Sequence, residues 1–73
     1  MLSEIEKFEI IRSRDVFLYN ELEEAYVRIE KGGTAFFAKF PGKKEYPIKQ
    51  TSNMVTQAII SFEEVSKEAY YNT

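Results

Sequence analysis

The sequence predicts an α+β domain: a small antiparallel β-meander of three to five strands with a C-terminal α-helix packed across one face. Three observations carry this. Residues 25–40, Ala-Tyr-Val-Arg-Ile-Glu-Lys-Gly-Gly-Thr-Ala-Phe-Phe-Ala-Lys-Phe, alternate apolar and polar on both sides of a Gly-Gly pair. Residues 52–71 place apolar side chains at the helical steps of three and four. Between them, Pro41-Gly42 is a strong turn signal, and Pro47 marks a short edge strand.

Residues 1–24 support two readings. Ser3-Glu4-Ile5-Glu6 fits a capping box and argues for a helix. Lys7-Phe8-Glu9-Ile10-Ile11-Arg12 carries β-branched residues and partial alternation, which argues for a strand. Val16-Phe17-Leu18-Tyr19 is a short apolar run and reads as a strand. Asn20 and Glu23 could cap and start a helix running to Gly32, burying Leu18, Leu22, Ala25 and Ile29. The hairpin is preferred to that helix because Tyr26, Val27 and Ile29 favour strands.

The meander occupies residues 25–49. A two-residue type I′ turn at Gly32-Gly33 sets Lys31 opposite Thr34. Ile29 then faces Phe36, Val27 faces Ala38, and Ala25 faces Phe40, so one face is wholly apolar. The other face carries Tyr26, Arg28, Glu30, Ala35, Phe37 and Lys39. A slip of one residue would scramble this separation. The third strand, 45–49, has two registers open to it. A two- or four-residue loop puts Tyr46 and Ile48 beside Phe37, and a three-residue loop puts them in the core.

The C-terminal helix spans 52–71, with Ser52 or Thr51 as N-cap. Its stripe is Val55, Ala58, Ile59, Phe62, Val65 and Ala69. Burying Val55, Ile59, Phe62 and Val65 would contribute roughly 6–12 kcal/mol before conformational entropy is subtracted. Ile60 and Tyr71 align on the opposite side of the same helix and suggest a partner surface.

Seventy-three residues make a single domain, 1–73, with a modest core and marginal stability alone. The chain has no Cys and no His. Disulfides, Cys- or His-rich zinc sites and Cys/His nucleophile–base pairs are therefore excluded, and dimerisation is the staple left to a domain of this size. The Ser and Thr hydroxyls lack a His partner and a Gly-x-Ser-x-Gly context. Gly32-Gly33 lacks the Lys-Ser/Thr ending and the following helix of a phosphate-cradling loop. The expectation is no enzyme, no cofactor and no metal. With no basic, apolar leader and no run of about 20 apolar residues, a cytoplasmic protein without a membrane partner is expected.

Charge is unevenly distributed. Residues 1–30 carry a net −4, residues 31–50 a net +4 and residues 51–73 a net −2, within an overall −2. A basic hairpin thus lies between two acidic ends, which marks either an anion-binding surface or internal complementarity. The candidate binding face is Tyr26, Arg28, Phe37 and Lys39, rimmed by Lys43, Lys44 and Lys49, with Lys31 nearby. Nucleic-acid-binding sheets combine aromatics that stack on bases with cations that hold phosphates. The same side chains could instead pack under another segment or against a second subunit, and edge lysines also block aggregation. The leading expectation is a small protein-interaction module that self-associates as a homodimer. The alternative is a protein that binds single-stranded DNA or RNA.

The order of a strand-rich front, a basic meander and a C-terminal helix resembles the positive-cofactor-4-like family of single-stranded-DNA-binding dimers. Lys7-Phe8-Glu9-Ile10-Ile11 followed by an apolar strand is similar to that family's start, and Pro41-Gly42-Lys43-Lys44 to the turn before its last strand and helix. The family's tryptophans and longer basic loops have no counterpart here, so the resemblance transfers no site residue.

Overall fold

The computed structural model describes residues 2–73. The chain begins with α1, Glu4–Ser13. Ser3 and Glu6 form the capping box: the Ser3 hydroxyl accepts from the Glu6 N–H, and the Glu6 carboxylate accepts from the Ser3 N–H at 2.8 Å. Glu4 and Glu6 in the first turn and Arg12 in the last complement the helix dipole. The strand reading of Lys7–Ile11 is therefore overturned. Capping satisfies two otherwise orphaned donors, and Lys7 and Ile11 fall on one buried helical face.

The strands are β1 (Val16–Asn20), β2 (Ala25–Ile29), β3 (Phe36–Lys39), β4 (Tyr46–Pro47) and β5 (Glu63–Glu64). They form one antiparallel sheet in the order β4-β3-β2-β1-β5. A tight turn joins β1 to β2, with the Asn20 side chain accepting from the Glu23 N–H and Glu24 at φ 51°. The competing helix from Asn20 to Gly32 does not form.

The β2–β3 register is the expected one: Ile29 opposite Phe36, Arg28 opposite Phe37, Val27 opposite Ala38 and Tyr26 opposite Lys39. The ladder stops there, because β3 ends at Lys39 and the anticipated Ala25–Phe40 pair is not part of it. The turn also differs from the expected type I′. Glu30 N–H donates to Ala35 O at 3.0 Å, and Gly33 N–H donates to Glu30 O at 2.8 Å. A short 3₁₀ turn, Lys31–Gly33, results, with Gly32 at φ 80°, ψ 3°. A four-residue loop closed by Glu30 and Ala35 has the same centre as a two-residue loop closed by Lys31 and Thr34. The register survives the change. The longer loop is secured from outside, since Asp15 accepts from the Lys31 N–H at 2.8 Å.

At the next turn, Lys43 N–H donates to Phe40 O, and Gly42 takes φ 75°, as Pro-Gly requires. Tyr46 lies opposite Ala38 and Pro47 opposite Phe37. This is the odd-loop register. It packs Ile48 against the core and sends Glu45 to the opposite face, but Tyr46 does not enter the core: it stacks on Phe40 and stays 40% exposed.

Helix α2, Asn53–Ser61, is capped by the Ser52 hydroxyl. It does not continue to residue 71. Phe62 takes a left-handed conformation, φ 47°, ψ 53°. Glu63–Glu64 then pairs with β1, and a separate α3, Lys67–Tyr71, starts from a Ser66 N-cap. The single helix expected over 52–71 is thus corrected to helix, strand, helix. A bulky residue in the left-handed region costs about 1–2 kcal/mol. Burial of the Phe62 ring in the core offsets that cost.

The break passes the chain around the edge of β1, from one face of the sheet to the other. On the first face, Val16, Leu18, Val27 and Ile29 pack with Ile11 of α1 and with Val55, Ala58 and Phe62. On the second, Tyr70 of α3 is fully buried, 5.1 Å from the Phe17 ring and 6.2 Å from Tyr26. The domain therefore has three layers. The amphipathic pattern of the sheet alone anticipates two, with only the α2 portion of the C-terminal segment across the apolar face.

Two buried polar side chains tie α2 down, one from the sheet and one from α1. Asn20, 1% exposed, donates to Met54 O at 3.0 Å and to the Gln57 side chain. Lys7, 6% exposed, donates to Ile60 O at 2.8 Å. Because α2 has no basic residue in its last turn, Lys7 supplies from α1 the cation its C-terminal carbonyls favour.

Candidate functional site

Strand alternation places Tyr26, Arg28, Phe37 and Lys39 on the face opposite the α1–α2 core, side by side as the hairpin register requires. Their environment is not an open surface. Arg28 lies over the Phe37 ring, 4.0 Å from its centroid. Its guanidinium donates to both oxygens of Glu45, at 3.0 and 2.9 Å, and to Glu30 at 2.9 Å. Tyr70 completes the cluster by donating its hydroxyl to Glu45 at 2.7 Å. Lys39 is buried and donates to the main-chain oxygen of Thr73 at 2.6 Å, with the Tyr70 ring 5.8 Å away. Tyr26 packs against Tyr19 and Tyr70.

The electrostatics follow from this geometry. The Arg28 hydrogen bonds hold the Glu45 carboxyl below the usual carboxylate range, against the opposing effect of burial. Burial pushes the Tyr70 phenol up, and its bond to Glu45 adds to the rise. Glu45 likewise pushes Arg28 further up, so the guanidinium stays charged. The centre of the sequence-predicted face is thus a neutralised Arg28–Glu45–Tyr70 cluster under α3.

The outer lysines have a different fate. Lys43 and Lys44 are exposed in the β3–β4 turn, and among the described residues neither has a carboxylate within 4.0 Å. They border an open cleft of about 530 Å³ with Lys39, Glu45, Tyr71 and Thr73. Tyr71 is 47% exposed, and its ring is set by edge contacts with Tyr70 at 4.9 Å and Phe17 at 5.9 Å. Lys49 is exposed beyond β4 and is not brought into this cleft.

Sequence reasoning missed Glu45, Tyr70 and Tyr71 as members of this face. Glu45 depended on a loop register left open. The helical period over 52–71 hides the tyrosines in one continuous helix, although Ser66 ahead of Lys67–Tyr71 is a second N-cap signal. Ile60 and Tyr71, aligned if that helix were continuous, belong to α2 and α3 and lie on opposite sides of the sheet.

A second exposed surface lies on the helix layer. Leu22 and Ile60, 77% and 67% exposed, share a cleft between the β1–β2 turn and α2. Ile60 also lines an adjoining cleft with Leu2 and Lys7. Phe8 of α1 projects beside Ile59 and Phe36. No helix among the described residues is long and apolar enough to cross a membrane. No three of their Asp and Glu side chains come together as a metal-ligand set.

No protein-family model, no curated protein and no solved structure matches this chain. The resemblance to the single-stranded-DNA-binding dimers gains no support from the fold either, because Lys7–Ile11 is helical.

Proposed function

We propose that the protein is a small non-enzymatic interaction module that self-associates as a homodimer through its helix layer. The observation that carries this reading is α2: nine residues, none of them charged. A surface helix of a globular domain normally turns charged side chains to water. The outer side of α2 instead presents Asn53, Thr56 and Ile60. Leu22 flanks Ile60 in one cleft, and Leu2 lies beside Ile60 in the next; elsewhere on the helix layer α1 exposes Ile5 and Phe8. Adjoining exposed apolar side chains of this kind mark interaction surfaces.

A second copy suits this surface. The α2 face itself can meet its copy across a two-fold axis without desolvating a charge, although the adjoining clefts also carry Glu21 and Lys7. The sheet offers no comparable route, because both edge strands are two residues long and β4 contains Pro47. A standard interface takes about 800 Å² from each partner, roughly one-sixth of the 4898 Å² accessible here.

Sedimentation velocity tests the reading. The parent chain is expected to be dimeric at micromolar concentration. Ile60→Lys and Leu22→Glu should each give a folded monomer, since both sites are exposed. The thermal midpoint of the parent should rise with concentration. A monomer at every accessible concentration would remove the homodimer and leave a different protein as the partner.

A further inference from the structure

We infer that the cleft between α3 and the β3–β4 turn binds single-stranded nucleic acid, with Lys43 and Lys44 on phosphates and the Tyr71 ring stacked on a base. This site lies on the opposite side of the sheet from the proposed dimer surface, so the two proposals stand or fall separately.

Three features of the cleft carry the inference. First, two of its three lysines have no carboxylate partner among the described residues. Arg28 and Lys39 are already engaged, but Lys43 and Lys44 project from a turn that Pro41 and Gly42 hold in place, without a carboxylate partner among the described residues. Second, the acidic side chain lining the cleft is masked. Both Glu45 oxygens accept from Arg28, and one also accepts from Tyr70, so Glu45 opposes a bound phosphate far less than a free carboxylate would. Third, the cleft holds an aromatic ring that is both oriented and nearly half exposed. Tyr70 and Phe17 meet the Tyr71 ring at interplanar angles of 90° and 67°, and the residue, 47% exposed, lines the cleft.

Two adjacent cations beside a pre-set ring match the repeating phosphate-and-base chemistry of a single strand. A duplex hides its bases in the stack and cannot use the ring. An acidic peptide would use the lysines but has no need of the ring. Local potential must outweigh the net charge of −2, so binding should be weak and strongly salt-dependent.

The test is fluorescence anisotropy with fluorescein-labelled fifteen-residue oligothymidylate and oligouridylate, and with a duplex of the same length, at 50 and 200 mM NaCl. Single strands should bind more tightly than duplex. With two phosphate contacts and a slope of about 0.7 per contact, affinity should fall about sevenfold between the two salt concentrations. The double variant Lys43→Glu/Lys44→Glu should weaken binding at least tenfold while leaving the thermal midpoint unchanged. Tyr71→Leu should weaken single-strand binding and leave the salt slope as it was. If Tyr71→Leu fails to fold, the lysine variant and the salt slope still decide. Absence of binding at 50 mM salt, duplex binding equal to single-strand binding, or indifference to the lysine reversal would each overturn the inference. So would displacement of the oligonucleotide by polyglutamate at equal charge concentration, which would assign the cleft to an acidic protein.

Discussion

Replacing Tyr70 by Phe removes one hydroxyl and keeps the ring, which makes it a sharp probe of how α3 is held. The hydroxyl donates to a Glu45 oxygen at 2.7 Å inside a fully buried residue. A hydrogen bond to a charged group contributes about 1.5–3 kcal/mol. Glu45 keeps both Arg28 bonds in the variant, so the lower part of that range applies, about 1.5–2 kcal/mol. For a domain of this size each kcal/mol moves the thermal midpoint by about 4–8 °C, so a fall of about 6–16 °C is expected. Tyr70→Ala is less informative. It removes the ring as well, at about 3–5 kcal/mol. That is a large share of the about 4–11 kcal/mol that 73 residues typically command. The assay is thermal melting followed by far-ultraviolet circular dichroism, with the tyrosine near-ultraviolet signal reporting on the aromatic layer. A double-mutant cycle with Glu45→Gln should return a coupling of about 1 kcal/mol or more. If Tyr70→Phe melts within about 2 °C of the parent, or the two substitutions simply add, then this bond does not secure α3.

Asn20→Leu should cost about 1–3 kcal/mol in urea unfolding, because it removes the side-chain bonds to Met54 O, Gln57 and the Glu23 N–H; an unchanged midpoint would show that Asn20 does not tie α2 to the β1–β2 turn. Stability should also fall in acid. Glu45 has a folded-state pKa below its unfolded value, so its contribution is fully present above the ordinary Glu value of about 4.3 and is lost as pH falls through the lower folded value. Glu45→Gln should flatten that part of the profile, and an identical acid limb in the variant would place the acid sensitivity elsewhere.

Much of the sheet was legible because it is written in local signals. The Gly-Gly loop lies between two alternating segments, and alternation permits only one register that keeps Val27, Ile29, Phe36 and Ala38 on one side. The turn is a four-residue loop with a 3₁₀ turn and not type I′, yet two-residue and four-residue loops share a centre, so the pairing is the same. Pro47 could not occupy a central strand, whatever the rest of the chain did. The Ser3–Glu6 capping box likewise stated where α1 begins, and the competing strand pattern over Lys7–Ile11 had no equivalent way to satisfy its neighbours.

The candidate site was legible only as a set of residue types on one face. That Tyr26, Arg28, Phe37 and Lys39 are neighbours followed from alternation. Their state depended on contacts between segments far apart in sequence. Arg28 and Glu45 are 17 positions apart, and Tyr70 joins them from 25 positions beyond Glu45. No local pattern records such a contact, because it exists only once the sheet has formed and α3 has docked.

Local sequence signals were enough for the α+β class, the hairpin register and the edge character of β4, since each rests on backbone sterics or on alternation within a few residues; for residues 4–13 they left helix and strand both open, and the fold chose the helix. Only the tertiary structure decided that the C-terminal segment breaks at Phe62. A helical period continues across that point, and no glycine announces the left-handed turn. The break occurs because a continuous helix would leave Phe17 and Tyr26 bare on the second face of the sheet. Placing Phe62 in one core and Tyr70 in the other covers both faces, and the apolar area removed from water outweighs the strain at one residue.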